Sequence, residues 1–366
     1  MKKNKFLTKV LFSVAAILFA SSAIAIPKDP CAPKDVCCEE AAPGPFAFSY
    51  PKDVGLSCPR DFYIHGEFLL MKPSENGLEY AMDQDHSTDD IFPLINGKIK
   101  GFSRDSDEWD WKYGFRAGFG FYAMHDAWNF QADWTYIKIK SDSEVSNGGT
   151  GFLRPLFYPA RGVVNDPMII HNASARWSGD YNTMDIMIGK PYHVSRYFTS
   201  NPMFGVRTAW IDQDYHVRYF QDDSFERNVW FKNDYWGAGL RGSYEGQFLL
   251  GSGWSIYGKA AFALLFGKFD LSQQSENPTQ SVADPFNRLW EYKTEDSFYS
   301  VQPNAELGLG FAWSKFYHKN QYQVSVKVGY EFHHWWDQNQ ARRFFDSDPT
   351  ATDTVSRGDL SFNGFM

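Results

Sequence analysis

Cysteine is scarce and confined. Of 366 residues four are cysteine, Cys31, Cys37, Cys38 and Cys58, and all precede the periodic part of the chain. Long hydrophobic runs are nearly absent. A membrane-spanning helix needs about 20 consecutive apolar residues, and only the N-terminus approaches that, which excludes a helical membrane protein. Basic charge is in deficit, with 36 Lys and Arg against 44 Asp and Glu. Nucleic-acid binding draws most of its affinity from a basic surface, so no nucleic-acid partner is expected. Glycine (29) and proline (18) are too few and too irregular for a collagen-like or low-complexity chain. No segment carries a persuasive helical period.

Aromatics are what the chain has in plenty: 33 Phe, 20 Tyr and 13 Trp. Mean hydropathy is nevertheless −0.45. Such a chain places large rings among polar neighbours.

The N-terminus reads as a secretory signal peptide over residues 1–25. Lys2, Lys3, Lys5 and Lys9 precede an apolar core from Val10 to Ala20, and Ala23 and Ala25 frame a small-residue cleavage site. Its removal leaves 32 basic against 44 acidic side chains, a net charge of −12. Residues 26–59 hold all four cysteines in a proline-rich stretch without periodicity. Adjacent Cys37 and Cys38 hardly bond each other without strain. Export makes disulfides within or between chains the expectation, with a metal site the weaker alternative because the spacing matches no standard pattern.

From residue 60 to 366 the dominant period is two. Trp111, Tyr113, Phe115, Phe119 and Phe121 alternate with Lys112, Gly114, Arg116 and Gly120. Trp128, Phe130, Trp134 and Tyr136 alternate with Asn129, Gln131, Asp133 and Thr135. Ala305, Leu307, Leu309, Phe311 and Trp313 do so with polar or small residues, as do Val324, Val326, Val328 and Tyr330. Less regular strands fall at 61–71, 174–190, 197–212, 233–246 and 253–269. A last one begins near Gly358 and reads as incomplete. This makes about ten strands, or twelve if a short pair lies within 77–103.

The connections alternate in length: 72–106, 141–173, 213–232, 270–298 and 337–357 are long, whereas 123–127, 191–196, 247–252 and 315–320 are short. Outer-membrane barrels alternate this way, with short periplasmic turns and long extracellular loops. A sheet crossing hydrocarbon must close, because every backbone group has to be paired there. The fold expected is therefore all-β: a transmembrane, antiparallel, up-and-down β-barrel of 10–12 strands in the bacterial outer membrane. Trp109, Trp111, Trp128, Trp134, Trp177, Trp210, Trp236, Trp254, Trp313, Trp335 and Trp336 are candidates for its interfacial girdle. A secreted β-sandwich burying its rings gives similar alternation and stays open as the alternative.

Catalytic and cofactor motifs are wanting. Gly237–Gly242 matches G-x-G-x-x-G, but no strand-to-helix unit surrounds it. His333 and His334 point to opposite faces of a strand and do not share a metal ion; a rim position near the girdle fits them better. Neither a nucleophile elbow nor a zinc-protease motif occurs. No catalytic, cofactor-binding or metal-binding residues are assigned, and the chain is not expected to be an enzyme. The remaining candidates are charged residues on the polar faces: the acids Glu67, Asp133, Glu245, Glu306 and Glu331, and the bases Lys112, Arg116, Arg207, Arg241, Lys259 and Lys327. In a barrel these would line the lumen and filter ions by field and size.

Several segments resemble the Legionella-type major outer membrane protein family, also met in chlamydia-like bacteria. They are Glu67–Pro73 with Leu78–Ala81, Tyr113–Gly120, Trp128–Tyr136, Pro202–Gln213, Asn233–Gly242 and Trp335–Gln340, in the same order along nearly the whole domain. The resemblance implies a pore-forming outer-membrane β-barrel with no enzymatic residues to carry over. The clustered N-terminal cysteines resemble the disulfide-linked envelopes of chlamydia-like organisms. The function expected is a porin passing ions and small hydrophilic solutes. The alternatives are a structural envelope protein or adhesin acting through long loops, and a secreted carbohydrate-binding β-protein. Expected partners are outer-membrane lipid, small hydrophilic solutes or ions, further copies of the chain, and disulfide-linked envelope proteins.

Overall fold

The computed structural model describes residues 50–51, 62–84, 97–102, 108–123, 128–146, 152–157, 170–222, 225–276, 290–318, 322–347 and 350–366. The expected signal peptide, residues 1–25, and all four cysteines lie outside the described residues.

Ten long strands form one ring: β1 Phe62–Glu75, β2 Lys112–Tyr122, β3 Asn129–Ser146, β4 Asn172–Gly189, β5 Phe198–Asp222, β6 Phe225–Gly251, β7 Trp254–Glu276, β8 Trp290–Tyr317, β9 Tyr322–Ser347 and β10 Thr350–Phe365. Each pairs antiparallel with the next in sequence, and β10 pairs with β1 over Leu360–Phe365 and Leu70–Glu75. The sheet is a closed up-and-down barrel. The short pair within 77–103 exists, as Ala81–Gln84 and Gly97–Lys100. It joins Phe152–Pro155 in a separate three-stranded sheet and does not enter the ring.

Strand lengths correct the expected loops. β5 to β9 run 23–28 residues, whereas crossing hydrocarbon takes about 9–11. The stretches 213–232 and 337–357 are not loops but tall hairpins, and β10 starts at Thr350, ahead of Gly358. The cause is a change of parity. Along β5 the outward Phe204 and Val206 are exposed, but beyond Trp210 the apolar residues become Tyr215, Val217 and Tyr219, which are buried inside. β6 switches from Leu240 outside to Tyr235 and Phe231 inside, and β7 from Phe266 outside to Phe269 and Leu271 inside. A one-residue slip of pattern flips every side chain to the other face, so an alternation followed from one end appears to stop where it inverts. Asp212, Asp214 and Asp270 occupy the outer face above the inversion.

The barrel thus has two zones. In the lower one, toward the short turns, the outer wall is an apolar band carrying Phe68, Leu240, Leu264, Phe266, Leu309 and Val328, all exposed. In the upper one the interior is apolar, and segments of the first two long connections fold into it. Leu78, Tyr80, Phe102, Trp109, Leu153 and Phe157 pack there against Trp177, Tyr215 and Phe231 as one buried cluster. Wall side chains hold this plug by its carbonyls. Tyr215 Oη donates to Leu78 O (2.5 Å), Tyr219 Oη to Tyr80 O (2.8 Å) and Asn339 Nδ2 to Asn76 O (2.9 Å). Arg343 donates to Gly77 O, Glu79 O and the Glu79 carboxylate.

Three expected girdle residues are therefore interior. Trp109 and Trp177 meet edge to face, with ring centroids 5.4 Å apart, and Trp335 packs on Tyr181. All three lie at or above the inversion, where apolar rings turn inward.

An arginine at Leu264, in the apolar band, is expected to destabilise the lipid-embedded barrel by about 2–4 kcal/mol. Denaturant unfolding of L264R in vesicles against wild type checks this.

Candidate functional site

Below the plug the interior is polar. Antiparallel pairing sets one charge opposite another: Arg207 faces Asp185, Arg116 faces Glu67, and Glu245 faces Lys259 in direct register. Lateral pairing is only half of the arrangement, because long side chains also reach across the barrel.

Arg207 on β5 is the centre. Its guanidinium donates Nε to Asp185 Oδ1 and Nη2 to Oδ2, both at 2.6 Å, a bidentate fork. Its Nη1 crosses to β8, to Asn304 Oδ1 at 2.5 Å and to the Glu306 carboxylate. Arg241 on β6 donates to the other Glu306 oxygen at 2.6 Å and lies 3.6 Å from Asp185. Two arginines and two carboxylates thus close a four-membered lattice in which each side chain is nearly sealed from solvent.

A second group lies beside it. Arg116 on β2 binds Glu67 of β1 and reaches Glu331 of β9 at 2.8 Å, while its Nε donates to Thr135 Oγ1. Lys259 approaches Glu331 to 3.6 Å. His333 joins the two groups, with Nε2 3.0 Å from Glu331 and Nδ1 3.6 Å from Glu306. It is buried inside the barrel and not at a rim; Glu331, two residues before it, faces the same side. His334 faces outward, as adjacent strand residues must. Nearer the short turns, Lys327 binds Glu245 at 2.7 Å and His65 meets Asp133 at 2.8 Å.

Of the eleven charged residues singled out in the sequence, ten fall within these interior groups. Lys112, at the start of β2, instead pairs with Asp110 at 3.0 Å, away from the lattice. Sequence reasoning missed Asp185, His65 and Asn304 and set His333 at a rim. Asp185 stands between Ile186 and Met184 in an otherwise apolar run, and a face-by-face reading of β4 would have found it. Among the described residues no group of three or more His, Cys, Asp or Glu could hold a metal ion. Gly237 and Gly239 lie on β6, within the sheet.

Between lattice and plug lies an uncharged layer. Gln213 donates to Glu75 (3.1 Å), Asn233 to Gln213 (3.2 Å) and to Gln338 O (2.7 Å), and Gln302 to Gln338. Glu75 stands above the apolar band, beyond the outward Lys72 and Ser74, and so outside the spanning part of β1. Burial without a neighbouring cation pushes its carboxyl up to about 8, the Gln213 amide opposing this only in part.

A family model described as the Legionella pneumophila major outer membrane protein precursor matches residues 57–366. The chain belongs to this family. Family and closed barrel together place it in the bacterial outer membrane, with the short turns on the periplasmic side. No curated protein matches the chain. Among solved structures it is similar to a Pseudomonas aeruginosa FadL homologue, at 7% identity and TM-score 0.20, covering 88% of this chain and 95% of that one. It is also similar to a loop-deletion mutant of OmpT, an outer membrane protein of Vibrio cholerae, at 7% identity and TM-score 0.13, covering 83% and 99%.

Two predictions arise from these layers. Arg207→Ala strands Asp185 and Glu306 in a buried setting and is expected to destabilise the folded barrel by about 3–5 kcal/mol, measured by denaturant titration. Glu75 binds its proton more tightly folded than unfolded. Its contribution is therefore full below the ordinary carboxyl value near 4.5 and is lost as pH rises to about 8. Stability should fall across that window in wild type and fall less in Glu75→Gln, as chemical unfolding at a series of pH values will report.

Proposed function

We propose that the protein is a narrow outer-membrane pore for ions and small hydrophilic solutes. The observation that carries this reading is the continuity of polar side chains through the lipid-facing zone. From Tyr63 and Gln131 near the short turns, through the Glu245–Lys327 pair and the arginine lattice, to Gln302 and Gln338, the inner wall offers charge or amide at each level. An ion shedding water in such a passage exchanges it for fixed carboxylates, guanidinium groups and amides. Ten strands enclose little more than the eight whose interior side chains fill completely, so small conductance is expected. Arg207 and Arg116, each shared between two carboxylates, are the constriction.

A second reading, a structural envelope barrel, is favoured by one specific observation. The upper interior is filled by the apolar cluster around Tyr80, Phe102 and Trp177. On the pore reading this plug, held by Arg343 and the two tyrosines, is the gate.

Purified protein in planar bilayers is expected to give small discrete conductance steps. Arg343→Ala, which removes the three hydrogen bonds that Arg343 Nη2 donates to the plug, should raise the open fraction several-fold. A folded, heat-modifiable barrel silent in both forms would sink the pore and leave the structural reading.

A further inference from the structure

On the outer wall near the upper edge of the apolar band, register brings together three residue types that no local sequence pattern joins. His334 of β9 is the direct cross-strand partner of Ser361 of β10. Ser361 Oγ lies 2.8 Å from His334 Nδ1. On the other side of the ring, His334 Nε2 lies 3.6 Å from Asp359 Oδ2. Serine, imidazole and carboxylate thus stand in the order that acyl-transfer chemistry requires.

The surroundings are built to hold this order. The imidazole is stacked on Phe332 (16°, 5.8 Å) and meets Trp336 edge to face (89°, 4.7 Å). The β9–β10 ladder breaks at this point, with a register shift between Trp335 and Asn339. Within that bulge Asp337 has φ of +51°, a strained value for a residue with a side chain. Its amide donates to Asp359 Oδ1 at 2.9 Å, which aims the carboxylate. Bulges commonly re-aim side chains beside active sites.

Position supplies the substrate. Two rows below, Tyr330, Phe365 and Leu70 are exposed on the lipid side. The next row carries Phe332, Asn363 and Lys72, and the row of the site itself His334, Ser361 and Ser74. Apolar wall therefore gives way to polar groups at this height, on the long-loop and hence extracellular side. The ester carbonyls of membrane lipids lie at such a boundary.

We propose that Ser361, His334 and Asp359 hydrolyse ester-linked acyl chains of outer-leaflet lipid, on the outside of the barrel and independently of any pore. Ser361 Oγ bonds to the ester carbonyl carbon while His334 Nδ1 takes the hydroxyl proton. As the carbon–oxygen bond to the lipid alcohol breaks, His334 returns that proton to the leaving oxygen. Water then attacks the acyl-serine with His334 as base, releasing the fatty acid and restoring Ser361. Lys72 and Asn363, diagonal or adjacent to Ser361 on the same face, place an ammonium and an amide near the developing oxyanion. Ser361 and His334 are catalytic residues and Asp359 a positioning residue, its contact closing to a hydrogen bond once the imidazolium forms.

The test uses the full chain, folded and heat-modifiable, in mixed micelles of detergent and diacyl phospholipid, with a fluorophosphonate as an independent serine probe. Wild type should release fatty acid and carry the label on Ser361. Ser361→Ala should abolish both, and His334→Gln should lower turnover about 10³-fold. Asp359→Asn should reduce kcat about 10²-fold with KM unchanged, a split that mere loosening of the rim would not produce. Ser74→Ala, a neighbouring hydroxyl, should behave as wild type. A folded wild-type barrel that releases no fatty acid, labelled or not, overturns the proposal, as does activity that survives Ser361→Ala.

Discussion

Hydrocarbon offers the backbone no hydrogen-bonding partner, and a strand placed in it must find every partner in another strand. The other features of this barrel are consequences of meeting that demand with ten strands. Closure fixes an inside and an outside, and the pleat then sends successive side chains to opposite environments. Rings and aliphatic chains go to lipid, charges to the interior. The hydrophilic mean hydropathy of a ring-rich chain is the average over two faces that never share a solvent.

Where hydrocarbon ends, the demand on the outer face ends with it, and the strands continue. Above the band the outside meets water and headgroups, so Asp212, Asp234 and Asp270 can stand there. The inside no longer has to offset an apolar exterior and becomes a conventional core. Tyr215 and Tyr219 show how the two halves are joined: their rings belong to that core, and their hydroxyls satisfy plug carbonyls that would otherwise be buried unpaired. The barrel is in effect a membrane span below and a soluble β-protein, core inward, above.

Much of this was legible before the structure. Strict alternation in 111–121, 128–136 and 301–313 marks lipid-facing strands because one environment governs each face over the whole run. The ends of the strands were not legible. Between Trp210 and Tyr215 the apolar residues change parity, and a rule that follows one face reads the change as a loop. The same inversion carried Trp109, Trp177 and Trp335 to the inside. For the interior groups, Arg207, Arg241 and Glu306 could be assigned to the lumen one strand at a time. Their mutual contacts could not, because they depend on curvature that brings β5 and β8 face to face. The family resemblance pointed to the barrel and was silent on who binds whom within it.

Charged side chains are an expensive filling for a narrow barrel, since burying ion pairs rarely stabilises more than apolar packing of the same volume. Their retention here calls for another reason. An apolar interior beneath an apolar exterior would make the strand faces equivalent, and a one-residue slip of register would then carry little penalty. The Arg207–Asp185–Arg241–Glu306 lattice removes that degeneracy: a slip of any one strand would put guanidinium groups into hydrocarbon. It also spans four strands that are not all neighbours, so it is complete only when the ring is. The lattice therefore specifies strand register and closure of the ring.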